Sequence, residues 1–93
     1  MHTGGLFKNK VKQCVMKYKV GDKVKVKSLD WYNQNKDEYG DVWEGYTAFE
    51  SIMSEYCGKV LTIEVVHIGC YNLEEDSYNY DWEDWMFEEE KIN

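Results

Sequence analysis

The sequence predicts a small, mainly β domain with one short helix. Three observations support this: valine and lysine alternate in residues 17–28, an apolar run changes face in residues 59–69, and aromatic residues recur with period two in residues 78–82. The chain has 93 residues, which fits one domain. Aromatic residues make up 16% of it. Because each large ring buries roughly 150–250 Å², these rings provide a core for a short chain.

The first predicted strand lies in "KYKVGDKVKVKS", residues 17–28. A period of two with β-branched residues is typical of a half-buried strand. Gly21 and Asp22 form the turn that leads into it. The valines share one face and the lysines the other: Val20, Val24 and Val26 against Lys23, Lys25 and Lys27.

Residues 29–46 form a long segment rich in Asn, Asp and Gly. A polar loop of this length is uncommon in a compact domain and is often functional. It also contains five aromatic residues, which predict that it folds back over the sheet: Trp31, Tyr32, Tyr39, Trp43 and Tyr46.

A short helix is predicted over residues 47–58. Thr47 and Glu50 have the spacing of a capping box, and Gly58 supplies a C-terminal stop. Helical spacing places four apolar side chains on one stripe: Phe49, Ile52, Met53 and Tyr56.

The remaining strands are predicted as a meander. In residues 59–69 the apolar positions change parity after Val65, which predicts a β-bulge or a sharp coiling of the strand. Residues 70–82 resemble a hairpin with a turn at Asp76 and Ser77. Its facing side chains would be Tyr71 and Leu73 against Tyr78, Tyr80 and Trp82, with Trp85, Met86 and Phe87 closing one end of the domain.

Three stretches, "YKVGDKVKVKS", "EYCGKVLTI" and "YNYDWEDWMFE", resemble small, mostly uncharacterised SH3-like proteins of bacteriophages and prophages. The resemblance covers residues 17–88. It implies an SH3-like small barrel built as strand, long loop, helix and three-strand meander. Residues 1–16 would be a basic extension, flexible or added as an edge strand, and residues 89–93 a frayed acidic tail. Such barrels have many unrelated functions, so the fold alone does not specify one.

The cysteines and the hydropathy pattern favour a cytoplasmic protein, in the host cell if a phage encodes it. Cys14, Cys57 and Cys70 are odd in number and form no CxxC pair, which favours reduced thiols. No apolar run approaches the roughly 20 residues of a membrane span. The N-terminus lacks the hydrophobic centre of a secretory signal.

Charge is divided unevenly along the chain. Residues 1–36 hold nine lysines and two aspartates, a net +7, whereas residues 37–93 hold two lysines and sixteen acids, a net −14. This division predicts a basic face and an acidic face, or paired segments that neutralise each other. The simpler alternative is that the charges only keep a small domain soluble.

The residues that usually carry catalysis are few. His2 and His67 are the only histidines, and no nucleophile stands beside a base. Two of the acids Glu74, Glu75 and Asp76 could form a carboxylate pair for general acid–base catalysis. We expect them instead to be solvated at a hairpin tip. The sequence therefore predicts a binding protein and no enzyme, with no metal and no cofactor.

The sequence leaves two candidate binding surfaces. For either of them the expected partner is a host protein. In the first, rings of the long loop and the C-terminus line a groove for an extended peptide, with the alternative that they complete the core. The residues are Trp31, Tyr32, Tyr39, Trp43 and Trp85.

In the second, the acidic half presents charge that resembles a phosphate backbone to a basic cleft, and so inhibits a nucleic-acid-binding or defence protein. The residues are Asp37, Glu38, Asp41, Glu44, Glu74, Glu75, Asp76, Asp81, Glu83 and Asp84. Direct binding of nucleic acid by the lysines of residues 8–27 is a weaker alternative, because the −14 of the other segment would repel phosphate. We expect no membrane contact, and a monomer or small homo-oligomer.

Overall fold

The computed structural model describes residues 16–89. Predictions for residues 1–15 and 90–93, which include most of the basic extension and of the acidic tail, lie outside these residues. The described chain forms one three-stranded antiparallel sheet in the order β1-β2-β3, one α-helix and two 3₁₀ helices. In chain order the elements are β1 (Lys23–Lys25), α1 (Leu29–Asn35), η1 (Ser51–Tyr56), β2 (Val60–Val66), β3 (Tyr71–Leu73) and η2 (Asp84–Met86). A small, mainly β architecture is therefore confirmed.

Strand β1 lies against β2 with Val24 opposite Leu61, and both side chains are buried. The predicted valine face is confirmed for Val24 and Val26. It is wrong for Val20, which is exposed. The reason is a turn at Gly21, whose φ of +93° reverses the chain before the strand begins.

The bulge that the sequence predicts for residues 59–69 is confirmed in β2. The register of β2 against β3 shifts between Ile63 and Val65. Leu61 and Ile63 are buried before the shift, whereas Val65 is only half-buried after it. The bulge therefore re-aims the end of β2, and the next turn leaves Ile68 at the surface.

Residues 82–88 touch both outer edges of the sheet. Tyr71 of β3 exchanges two backbone hydrogen bonds with Trp82, at 2.7 and 3.0 Å. At the other edge Val26 is bridged to Phe87, where the N–H of Glu88 donates to the carbonyl of Lys25 at 2.7 Å. These contacts are isolated bridges rather than a strand, so the sheet is not closed within residues 16–89.

The predicted hairpin forms only at its base. Trp82 pairs with β3, but Tyr78 is exposed in the turn. Ser77 and Tyr78 both have positive φ, 56° and 65°, which prolongs the turn and delays the return of the chain.

The two helical predictions need correction. The expected loop of residues 29–46 contains α1, which begins after Ser28, whose hydroxyl accepts the N–H of Trp31 at 3.0 Å. The expected helix of residues 47–58 is the shorter 3₁₀ helix η1. It starts late because Phe49 is extended and exchanges two 2.9 Å hydrogen bonds with Val42.

The core is mainly aromatic. Trp82 stacks on Phe87, with ring centroids 5.9 Å apart and an angle of 17° between the planes, and meets Phe49 edge-on at the same distance. Such pairs contribute about 0.5–1.5 kcal/mol beyond their burial. No helix among residues 16–89 has the length and apolar character required to cross a membrane.

Candidate functional site

The predicted aromatic groove is divided by the fold into core and surface. Tyr32 is buried, and its hydroxyl donates to the carbonyl of Gly40 at 2.7 Å. Burial, followed by the nearby carboxylate of Asp41, raises the pKa of this phenol. Tyr32 is therefore unavailable to a partner, which corrects its place in the groove.

Trp31 and Trp85 lie side by side and are half-buried. Their ring centroids are 6.2 Å apart, and Trp31 meets the buried ring of Phe49 edge-on at 5.2 Å. Lys27 places its ammonium 5.4 Å from the centre of the Trp31 ring. These two tryptophans mainly complete the core and present only part of their surface.

Three rings of the same segment remain at the surface. Tyr39 is 77% exposed, Trp43 60% and Tyr46 98%. We call residues 39–46 the ring loop. Because solvent-exposed aromatic side chains gain most from being covered by a partner, the ring loop is a candidate contact surface.

The backbone next to Tyr46 is fixed by the carboxylate of Glu83. Its Oε2 accepts the N–H of Thr47 at 2.7 Å and that of Tyr46 at 3.1 Å. Its Oε1 accepts the indole N–H of Trp85 at 2.7 Å. Glu83 is only 7% exposed, which corrects its place on the predicted acidic surface. Hydrogen-bond donors explain why this charge tolerates burial.

Gly45 is required at the same point. A Cβ on Gly45 would overlap the carboxylate of Glu83 and the indole nitrogen of Trp85. A side chain there would push Glu83 away from the N–H groups that it holds. The sequence therefore contains a signal for the site, a glycine directly before an exposed tyrosine, but the need for it is visible only in three dimensions.

Asp76 is also buried, at 2% exposure, and does not belong to an acidic surface. Its Oδ2 accepts the indole N–H of Trp82 at 2.8 Å, and its Oδ1 accepts the backbone N–H of Tyr78 at 2.9 Å. The expected solvated hairpin tip is wrong for this residue, because the wide turn folds the side chain inward.

The other predicted acids lie at or near the surface. Asp41 is half-buried, and Glu75 accepts both the N–H and the hydroxyl of Thr62. The ion pairs within residues 16–89 join Lys17 to Glu89 and Lys19 to Asp22, so none of these acids takes part. The exposed ones are Asp37, Glu38, Glu44, Glu74, Glu75, Asp81 and Asp84.

A pocket of about 250 Å³ opens beside the ring loop. Residues 46–47, residues 68–70, Asp81 and Glu83 line it. Ile68, which is 91% exposed, and Tyr46 give it apolar walls. The sequence analysis did not select Tyr46, Ile68 or Cys70 as site residues, because no sequence pattern shows that residues 46–47 lie beside residues 68–70.

The thiol of Cys70 is half-buried in this pocket and is free. Burial raises its pKa, and the negative charges of Asp81 and Glu83 raise it further. The thiol is therefore protonated at neutral pH and is a weak nucleophile. It serves better as a reporter of the pocket than as a reactive group.

Several of the lysines of residues 8–27, which we call the basic stripe, contact other residues of this chain. Lys23 donates to the hydroxyl of Thr62 at 2.8 Å, and Lys19 pairs with the carboxylate of Asp22 at 3.3 Å. Lys17 and Lys27 lie over aromatic rings. These contacts hold part of the stripe against the domain.

Residues 16–89 contain no group of three or more His, Cys, Asp or Glu side chains arranged to hold a metal ion. His67 shares a 2.6 Å hydrogen bond with the side-chain oxygen of Asn72 at the surface.

In comparisons with known proteins, no family, curated protein or solved structure matches this chain.

Proposed function

We propose that this chain is an SH3-like barrel that acts as a non-enzymatic protein-binding module. The barrel assignment is supported by residues 82–88, which bridge to β3 through Trp82 and to β1 through Phe87. A short 3₁₀ helix, η2, joins these two contacts.

The ring loop and the adjoining pocket form the proposed binding surface. The observation that carries this assignment is Tyr46, which is 98% exposed while its backbone N–H is held by the buried carboxylate of Glu83. Because the backbone that carries this ring is fixed before binding, less backbone freedom is lost when a partner covers the ring. Tyrosine and tryptophan are also the residues most often found at binding hot spots.

The partner is expected to be a basic protein segment. Apart from Glu89, which pairs with Lys17, the exposed carboxylates of the acidic half form no ion pair within residues 16–89. Such a field accelerates the approach of a positively charged partner and weakens as salt is added. In a phage or mobile element, as the sequence resemblance suggests, that partner would belong to the host.

A second candidate uses the same charges differently. The exposed carboxylates Glu38, Glu44 and Glu74 could themselves occupy a cleft that normally binds a phosphate backbone, and so inhibit a nucleic-acid-binding protein. The observation that favours it is their freedom from ion pairs within the described part of the chain. Binding would then depend on charge and not on the rings.

The two candidates are separated by selecting binders from a library of random displayed peptides, with the full chain as bait. If the chain is a protein-binding module, we expect the selection to yield basic peptides that bind the wild-type protein. The Trp43→Ala variant should bind these peptides about tenfold or more weakly. A Tyr78→Ala variant, which removes an exposed ring outside the pocket, is the matched control and should bind normally.

If binding is unaffected by Trp43→Ala but is lost on the triple change Glu38→Gln, Glu44→Gln, Glu74→Gln, the acidic surface is the functional one. Tight binding of duplex or single-stranded DNA to the isolated protein would contradict both candidates. A salt series on each peptide shows how much of its affinity is electrostatic.

A further inference from the structure

We infer that the pocket beside Tyr46 binds the guanidinium group of an arginine side chain in the partner segment. This inference rests on the proposed protein-binding function and adds a chemical specificity to it. It follows from the carboxylates that line the pocket, from its apolar walls and from its size.

Asp81 supplies the accessible charge. Its side chain is exposed, and the hydrogen bond that it accepts from the amide of Asn72, at 3.3 Å, uses only Oδ1. The other carboxylate oxygen faces no donor among residues 16–89. Glu83 adds a second negative charge, although its oxygens are engaged by N–H groups of the protein. Among the described residues 16–89, no lysine lines the pocket to neutralise either charge.

The walls suit a flat cation on an apolar stem. Tyr46 offers almost the whole face of its ring, and a guanidinium is attracted to such a face and stacks on it. Ile68 is available for the methylene groups that precede the charged end. An exposed tyrosine, an exposed isoleucine and a carboxylate around one opening therefore match the three parts of an arginine side chain.

The size of the pocket points to a single side chain. Its volume of about 250 Å³ lies below the roughly 300–1,000 Å³ of pockets that take drug-sized ligands. Arginine is favoured over lysine because its planar fork can stack on Tyr46 and still donate two hydrogen bonds to a carboxylate. A lysine ammonium would make the charge contact without the stacking geometry.

The test titrates the ¹⁵N-labelled full chain with acetyl-arginine-amide and follows the backbone N–H signals by NMR. We expect saturable shifts at Thr47, Gly69 and Cys70. Acetyl-citrulline-amide has nearly the same shape without the charge, and its affinity should be at least about tenfold lower. Acetyl-lysine-amide should bind more weakly than the arginine compound.

The variant Asp81→Asn should weaken arginine binding, whereas Glu55→Gln, which neutralises an exposed carboxylate outside the pocket and outside both candidate surfaces, should leave it unchanged. The rate at which an alkylating reagent modifies Cys70 gives an independent readout. Bound acetyl-arginine-amide should lower that rate, because it covers the thiol. Equal binding of citrulline, equal binding of lysine, or shifts spread over all exposed carboxylates would each overturn the inference.

Failure of this inference can be distinguished from failure of the proposed function. If selected peptides bind through Trp43 but Asp81→Asn has no effect on them, the protein-binding module stands and the arginine site falls. If the arginine compound binds in the pocket but no peptide depends on the ring loop, the proposed function falls instead.

Discussion

The buried carboxylate of Asp76 accepts the indole N–H of Trp82 at 2.8 Å. Trp82 is completely buried and stacks on Phe87, so this bond ties an acidic turn to the centre of the aromatic core. The second oxygen of Asp76 fixes the N–H of Tyr78, one of two consecutive residues with positive φ. One carboxylate thus stabilises both the turn and the orientation of the core tryptophan.

The first prediction concerns this carboxylate. Asp76→Asn replaces one acceptor oxygen by an N–H₂ group, which would face a donor, so we expect a loss of about 1–3 kcal/mol in the free energy of unfolding. Urea unfolding followed by tryptophan fluorescence measures it. Glu74→Gln, an exposed neighbour, should change the free energy by less than about 0.5 kcal/mol. If both substitutions change the free energy of unfolding equally, the buried hydrogen bonds of Asp76 do not stabilise the fold, which would contradict the prediction.

The second prediction concerns Gly45. Gly45→Ala should displace the carboxylate of Glu83, because the added Cβ overlaps it and the Trp85 indole nitrogen. We expect a shift of the Trp85 indole N–H signal and faster hydrogen exchange at the amide of Thr47. Gly58→Ala is the control, since nothing lies within 4 Å of its Cβ, although its φ of +80° also costs some stability. If Gly45→Ala leaves both Trp85 and Thr47 unchanged, Glu83 does not fix the ring loop.

The third prediction follows from Tyr71. Burial raises its pKa well above the ordinary value, and a hydrogen bond to Asp84 raises it further. Because tyrosine in the unfolded chain ionises near pH ~10, the stabilisation is complete below that pH and is lost as the pH rises toward the folded-state pKa. Unfolding free energies measured from pH 8 to 11 should therefore fall.

Tyr71→Phe should flatten that alkaline fall. It should also cost about 1–3 kcal/mol at pH 7, because the N–H of Tyr18 loses its acceptor, the Tyr71 hydroxyl. Tyr39→Phe, at an exposed ring, should change neither quantity. An unchanged pH dependence in Tyr71→Phe would contradict the assignment.

The fourth prediction uses the pocket thiol. Asp81→Asn removes a negative charge that raises the pKa of Cys70, so more thiolate should be present at pH 8 and alkylation should be faster. Rates are measured by mass spectrometry, with Cys57 as the internal control, since only burial raises its pKa. A slower reaction at Cys70, or parallel acceleration at both thiols, would contradict the electrostatic explanation.

The strands were predictable because their signal is local. Alternation placed Val24 and Val26 in the core. The change of parity after Val65 predicted a bulge, which lies slightly earlier, between Ile63 and Val65. Helix α1 was not predicted, since its seven residues are rich in Asn and Asp and carry no complete apolar stripe. Its cap, Ser28, was a usable signal. The helix expected at residue 47 was shortened because Thr47 and Phe49 make long-range contacts that propensity does not register.

The site was harder to predict than the fold. The exposure of Trp43 and Tyr39 agrees with the predicted aromatic surface, but Tyr32 belongs to the core. Asp76 and Glu83 are indistinguishable in sequence from their exposed neighbours. Glu83 is buried because N–H groups of the distant residues 46 and 47 meet it. Asp76 is buried because its own turn brings it to the indole N–H of Trp82. Only the tertiary arrangement reveals either contact.

The central claim is that a protein partner is bound through the ring loop and its pocket. NMR mapping of a library-selected peptide on the ¹⁵N-labelled chain tests it most directly. We predict that the largest shifts fall on residues 43–47 and 68–70, and that Tyr46→Ala abolishes them while Tyr78→Ala does not. Shifts centred instead on residues 37–38 and 74–75, and unaffected by Tyr46→Ala, would contradict the claim.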